Sequence, residues 1–229
     1  MKNLVILTGA GMSSESGIRT FRDAGGLWED YDVTEVATPM AWWKNRDLVL
    51  RFYNERRTHL AACEPNAGHI GIAALEKFFD VHVITQNIDN LHERAGSLKV
   101  LHLHGELTKA RSTIDPSLIY DIGYKEIKPG DICEKGSQLR PHIVWFGEAV
   151  PKMDEAVKIT STADIFVVIG SSLNVYPAAG LIDYAPKKAL LWLIDPNDVY
   201  VLASRKVEVI KESATKGIAI LTKRLLELQ

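Results

Sequence analysis

The sequence predicts an α/β protein, a doubly wound parallel sheet carrying a small lobe formed by two insertions. Four short runs rich in β-branched residues, Leu4 to Leu7, Val81 to Ile84, Ile165 to Ile169 and Ala189 to Ile194, each stop at turn or polar residues, as buried parallel strands do. Between them apolar residues recur at helical spacing over Gly68 to Phe79, Ala178 to Tyr184 and Thr215 to Leu228. Strands alternating with helices put helices on both faces of one sheet. Two segments break the alternation: Thr38 to Glu64, helix-rich with Trp42, Trp43, Leu50 and Phe52, and Thr108 to Leu139, irregular and rich in Gly, Pro, Asp and Lys. The expected division is therefore 1–37, 65–107 and 140–229 in the large domain and 38–64 with 108–139 in the small lobe, a binding cleft lying between them. A chain of 229 residues suits one large domain with an inserted lobe.

In chain order, the first strand runs into Thr8-Gly9-Ala10-Gly11-Met12-Ser13, where glycines let backbone N–H groups approach a phosphate at a helix N-terminus. Such a turn alone serves structure as readily as it serves a ligand. A dehydrogenase fingerprint asks for a third glycine where Ser14 stands and for an acidic residue closing the second strand, and neither is met cleanly. Hydride transfer loses weight accordingly. The second strand ends in Thr85-Gln86-Asn87-Ile88-Asp89, and polar groups at the carboxyl end of a strand point into the ligand crevice of such a sheet. The plainer use of these residues is an Asx turn with helix capping. In Leu101-His102-Leu103-His104-Gly105 the histidines alternate along an extended segment and face opposite ways. That argues against a shared metal and for one functional imidazole, with His104 the better general base. A lone histidine in an apolar segment is more often a satisfied core residue. Arg140 to Glu148 and Gly170 to Ala178 flank the expected cleft, the latter with the composition of a phosphate loop.

Composition removes several classes. With 27 Lys plus Arg against 29 Asp plus Glu, net charge −2, no positive field recruits nucleic acid or an anionic membrane. Hydrophobic residues at 46% and charged residues at 24% exclude a disordered or fibrous protein. Two cysteines, Cys63 and Cys133, are too few for a disulfide framework or a four-cysteine metal site, so a reducing cytoplasm is the expected location. No run is long and apolar enough for a membrane helix, and a monomer is expected.

Taken together, these segments resemble the sirtuins, NAD-dependent protein lysine deacylases of Rossmann-like fold. The similarity rests on GAGMSSESGIRTFRD at Gly9 to Asp23, TQNIDNLHERAG at Thr85 to Gly96, HLHGEL at His102 to Leu107, RPHIVWFGE at Arg140 to Glu148 and GSSLNVYPAA at Gly170 to Ala179. It implies a non-redox use of NAD: the acyl oxygen of an acyl-lysine attacks the anomeric carbon of the nicotinamide ribose, nicotinamide leaves, and O-acyl-ADP-ribose and free lysine result. By the same similarity His104 is the base on a ribose hydroxyl. Asn87 and Asp89 orient ribose and nicotinamide, and Gln86 contacts the ribose. Gly9, Ala10, Gly11 and Ser13 line the pyrophosphate, Phe21 and Arg22 belong to a cofactor-binding loop, and Gly170, Ser171 and Ser172 close over the adenosine end. Asp195 stands where the family has Asn, with Asn197 two residues on, which leaves the adenosine ribose to one or the other. Val144, Phe146, Gly147 and Glu148 on one side, and Asn174 and Val175 on the other, would grip the substrate backbone as added strands.

Two departures carry expectations. Most sirtuins place two Cys-x-x-Cys pairs between the HGEL and RPHIVWFGE motifs, whereas here that interval holds only Cys133, with Ser112 near the first pair and Gly136 after Cys133. No metal is therefore expected, and Ile114, Leu118, Ile119, Tyr120, Ile122 and Tyr124 are expected to stabilise the lobe by packing. The second departure is Tyr53 and Arg56, which share a helix face and also read as part of a solvated basic face with Arg51 and Arg57. The sirtuins that remove succinyl and malonyl groups carry this Tyr-x-x-Arg pair together with an Ala at the position of Ala37. The similarity thus implies acyl-lysine proteins as partners, with succinyl, malonyl and some acetyl removal. An NAD or ADP-ribose binding module, or an ADP-ribosyltransferase without deacylase activity, is the alternative.

Overall fold

The computed structural model describes residues 1–20, 31–199 and 206–227. Among these residues the large sheet has six parallel strands: β1 (Asn3–Thr8), β2 (Asp80–Thr85), β3 (Val100–His102), β7 (Ile165–Ile169), β8 (Leu190–Ile194) and β9 (Glu208–Ile210), in the order β3-β2-β1-β7-β8-β9. The four apolar runs of the sequence form β1, β2, β7 and β8. The edge strands β3 and β9, of three residues each, are too short to show a period in sequence.

Alternate side chains of the central strands feed two cores. Leu4, Ile6 and Val167 pack beneath the helices α5 (Ala67–Leu75) and α8 (Ala214–Leu226). Val5, Leu7 and Phe166 pack beneath α7 (Met153–Thr160) and the segment Ala178–Tyr184. Each such side chain contributes on the order of 1.5–3 kcal/mol by leaving water, which is why these strands are apolar on both faces. Ala178–Tyr184 is a 3₁₀ helix and not the α-helix its apolar spacing suggests. Its buried residues fall in steps of three, Ala178 to Leu181 and Ala179 to Ile182, which suits three residues per turn.

Strand order reverses between β1 and β7. The carboxyl ends of strands at such a switch point border the crevice where ligands bind in open α/β sheets. Above it α3 (Pro39–Lys44), α4 (Arg46–Ala62) and an antiparallel sheet of β4 (Gly105–Ser112), β5 (Ile119–Asp121) and β6 (Leu139–Ile143) share a third core, built on Trp42, Leu50, Phe52, Leu107 and Ile143. The packing expected within 114–124 is not what holds this lobe. Ile114, Ile119 and Tyr124 are exposed, Leu118 and Tyr120 are half-buried outside the core, and only Ile122 touches it. No residue of β5 enters the third core, and the apolar contact with α4 comes from β4, β6 and Ile127.

Arg57 reinforces that contact. It is fully buried, donating from Nε to the Leu107 carbonyl at 2.8 Å and from Nη1 to Asn54 Oδ1 at 2.6 Å, while Asn54 also clamps the backbone of Ile127. Burial pulls its guanidinium down to about 10. Of Arg51, Arg56 and Arg57 only Arg51 is exposed as the solvated-face reading requires.

Candidate active site

The loops at the ends of β1 and β7 are packed back to back. A Cβ at Gly9 would lie 2.6 Å from the Gly170 carbonyl oxygen, and one at Gly170, whose φ is +59°, would lie 2.4 Å from the Met12 nitrogen. The amides of Gly9 and Gly11 are given to the carbonyls of Ile169 and Gly170. The glycines are thus required first by loop-to-loop contact, and those two N–H groups are not aimed at a phosphate as the sequence suggested. Gly9, Ala10, Gly11, Ser13, Gly170, Ser171 and Ser172 all line one cleft of about 1260 Å³.

From the other side of β1 the loop after β2 enters the same cleft. Asn87 Nδ2 donates to the Gly9 carbonyl at 3.0 Å and to Ser13 Oγ at 3.1 Å; Ser13 Oγ in turn donates to Asp89 Oδ2 at 2.9 Å. Both amide protons of Asn87 are then used, so its carbonyl oxygen is the atom left for the cleft. Burial pushes the Asp89 carboxyl up, against the hydrogen bonds from the Leu91 amide and Ser13. Gln86 reaches across to Ser171 Oγ at 3.0 Å.

His104 completes this wall. Its Nδ1 lies 3.0 Å from the Gln86 carbonyl, an acceptor, so Nδ1 carries the proton and Nε2 keeps its lone pair. Burial lowers its pKa, with the Gln86 carbonyl opposing, so the ring is neutral and competent as a base at neutral pH. His102 turns the other way, to the Asn87 carbonyl and Glu93.

Beneath the loop His69 and His92 meet edge to face at 4.8 Å, and His92 Nε2 reaches Thr8 Oγ1 at 3.1 Å. Burial lowers His69 to about 4 and His92 well below the ordinary value. A histidine kept neutral in the fold but charged when unfolded binds more protons in the unfolded state, so stability falls as pH drops from about 6.5 to about 4. His69 alone should account for roughly 2–3 kcal/mol of loss between pH 7 and pH 4.5, read by urea unfolding. A His69→Asn variant of equal acid sensitivity would contradict this.

The small-lobe wall carries Tyr53, Arg56, Ala37 and Val144 to Glu148. Tyr53 Oη accepts from Trp145 Nε1 at 3.0 Å, which leaves its hydroxyl proton free, and burial pushes its pKa up. Arg56 spends Nη1 on the Phe52 carbonyl at 2.8 Å and its guanidinium lies 3.4 Å above the Phe52 ring, while its buried Nε has no partner among the described residues. Val144 and Phe146 give their amides to the carbonyls of His104 and Ala37.

Glu148 lines the cleft, and its side chain is engaged within the protein. Its carboxylate takes hydrogen bonds from Arg140 Nη1 at 2.7 Å, from Arg111 Nη2 at 3.2 Å and from the Trp145 amide at 2.8 Å. Burial works against its charge, yet those donors hold it below the usual carboxylate range. It shapes the turn that carries Trp145, Phe146 and Gly147.

Asn174 and Val175 line the opposite rim, and Leu173 beside them adopts φ +54°, a left-handed conformation costing about 1–3 kcal/mol for a residue with a side chain. Asp195 and Asn197 both face the far end, where Asp195 Oδ1 accepts from the Asn197 amide at 2.9 Å. Phe21 and Arg22 lie outside the described residues. Sequence reasoning missed Ile18, Tyr31, His59, Trp145 and Leu173 as lining residues. Of these Ile18, Trp145 and Leu173 sit inside the motifs quoted above, and nothing local marks Tyr31 or His59.

Where two Cys-x-x-Cys pairs would face each other, one thiol meets two hydroxyls. Cys133 Sγ is 3.4 Å from Ser112 Oγ and 3.3 Å from Ser137 Oγ, themselves 2.9 Å apart, and Gly136 at φ +75° closes the turn. This donor set does not fit zinc, which takes four N or S ligands in structural sites. Among the described residues no cluster of three or more His, Cys, Asp or Glu could hold a metal ion. Purified protein is expected to contain less than about one tenth of an equivalent of zinc and to stay active in a strong chelator. Stoichiometric zinc by elemental analysis would overturn this expectation.

Comparison with known proteins places these features in a family context. The Sir2 family profile matches residues 9–177. A relative named NAD-dependent protein deacylase from Bacteroides thetaiotaomicron is 56% identical over 234 residues, covering 99% of each chain. Among solved structures, a Sir2 homologue in complex with ADP-ribose superposes with TM-score 0.90 at 36% identity, over 100% of this chain and 94% of the other. A Sir2 structure with a deacetylated p53 peptide and 3′-O-acetyl ADP-ribose gives TM-score 0.83 at 29% identity, over 96% and 92%. Among the described residues no helix is long and apolar enough to cross a membrane.

Proposed function

This chain belongs to the Sir2 family and is an NAD-dependent protein deacylase, and on that premise we propose that it removes acyl groups ending in a carboxylate, succinyl and malonyl, with some retained activity on acetyl. One observation carries the acyl preference: among the described residues the Tyr53 hydroxyl proton and the Arg56 Nε–H meet no acceptor, and both residues line the cleft that holds His104. A carboxylate at the end of an acyl chain uses such donors, whereas a neutral acetyl leaves them unpaired. Ala37, the smallest side chain on that wall, leaves room for the longer group.

The co-substrate NAD supplies the activated ribose. A cleft of about 1260 Å³ exceeds the roughly 300–1,000 Å³ of ordinary small-molecule sites, which suits a dinucleotide lying beside a peptide. In this reading Asp195 or Asn197 holds the adenosine ribose, with Gly170, Ser171 and Ser172 closing over that end. Gly9 to Gly11 and Ser13 border the pyrophosphate, and Gln86 lies against the nicotinamide ribose. Asn87 and Asp89, fixed through Ser13, orient the nicotinamide end, and His104 Nε2 accepts the proton of a ribose hydroxyl. The acyl-lysine partner lies between Val144 to Gly147 and Asn174 to Val175, a backbone-pairing mode that reads little side-chain sequence. A purely NAD-binding module has no use for the lone pair on His104.

The test compares kcat/KM on matched succinyl-, malonyl- and acetyl-lysine peptides. Succinyl and malonyl turnover ahead of acetyl is expected, and acetyl turnover ahead of both would refute the preference.

A further inference from the structure

Two histidines anchor one loop. His104 Nδ1 meets the Gln86 carbonyl at 3.0 Å and His102 Nδ1 meets the Asn87 carbonyl at 3.1 Å, so consecutive carbonyls of the segment that presents Asn87 and Asp89 are each held by an imidazole. Their remaining nitrogens part company. His102 Nε2 lies 2.7 Å from Glu93 Oε1, on α6 (Leu91–Arg94), which follows the loop directly. A carbonyl and a carboxylate are both acceptors, and a neutral imidazole has a single N–H. His102 therefore satisfies both partners only as the imidazolium. It ties the start of the loop and the helix that ends it to the same strand, β3.

We propose that His102 is a positioning residue that, as an imidazolium paired with Glu93, fixes the Asn87–Asp89 loop for the reaction at His104; this rests on the deacylase reading of the site. The surroundings support the charge. Glu93 faces His102 from α6, Asp89 from the loop and Glu106 from β4, where Glu106 also pairs with Lys109; His92 on α6 is kept neutral by burial. The side chain is only 7% exposed, and although burial disfavours the charge, Glu93 holds the group above the ordinary histidine value. Loss of that proton removes one of the two hydrogen bonds and sets a lone pair against a carbonyl or a carboxylate. The loop is released and turnover falls, while the peptide groove on the far wall is untouched.

The experiment measures kcat and peptide KM against pH for the wild-type chain, Glu93→Gln and His102→Gln, with an acyl-lysine peptide and saturating NAD. His102→Gln should lower kcat by about 10-fold to 100-fold with peptide KM within about 3-fold, the scale expected of misplaced reacting groups. The wild-type kcat should fall on an alkaline limb. In Glu93→Gln that limb should move to lower pH by about one unit, because an amide no longer stabilises the imidazolium. In His102→Gln it should be absent. A Glu93→Gln profile that superimposes on wild type overturns the proposal, and this arm decides alone if His102→Gln fails to fold. Wild-type protein that frees no lysine at any pH would sink the deacylase reading instead.

Discussion

Replacement of Arg56 by Met is expected to lower kcat/KM for a succinyl-lysine peptide by about 30-fold to several thousand-fold while changing acetyl-lysine by less than about 5-fold. The range follows from the roughly 2–5 kcal/mol lost when one partner of a buried charged pair is removed. The structure sharpens the reason for choosing Met. The guanidinium of Arg56 lies 3.4 Å over the Phe52 ring and 5.2 Å from that of Tyr31, on an aliphatic stem that an Ala would also delete. Met keeps the stem and removes the donors. Burial lowers the pKa of this guanidinium, and it still remains a cation throughout the working range. Equal losses on both peptides would show that Arg56 serves the fold alone, and the acyl preference would have to be withdrawn.

His104→Ala should reduce deacylation at least about 10²-fold while leaving NAD binding within a few-fold. The variant removes the proton acceptor together with its hydrogen bond to the Gln86 carbonyl, while His102 still holds the neighbouring Asn87 carbonyl. The pH profile gives a second measure. Because burial sets the folded pKa of His104 below 6.5, the base is neutral at neutral pH, and the acid limb of wild-type kcat/KM should lie below that value. The residual activity of His104→Ala should lack that acid limb. Retained turnover, or an acid limb that persists unchanged in the variant, would assign the base elsewhere.

The sequence alone determined what is written in short segments. Four apolar runs name the central strands because a strand buried on both faces has no polar alternation. The polar cluster Gln86 to Asp89 is legible because a strand end at a switch point must face the crevice. His104 is separable from His102 because an extended chain alternates its side chains. The ordered motifs then carried the family, and with it the reaction.

Tertiary structure decided what depends on partners distant in the chain. Gly9 and Gly11 are glycines because the Gly170 turn presses against them, a fact that no local rule about phosphates contains. That the Glu148 carboxylate is taken by Arg140, Arg111 and the Trp145 amide is visible only in the fold. Arg57, one residue from Arg56 in sequence, is buried against the Leu107 carbonyl while Arg51 is exposed; helical spacing gives a face but not what covers it. The Tyr53 oxygen is filled by Trp145, 92 residues on in the chain, and among the described residues its hydroxyl proton meets no acceptor. Hydrogen-bond saturation is a property of three-dimensional neighbours: the sequence says which groups can donate or accept, and only the fold says which of them are still unspent.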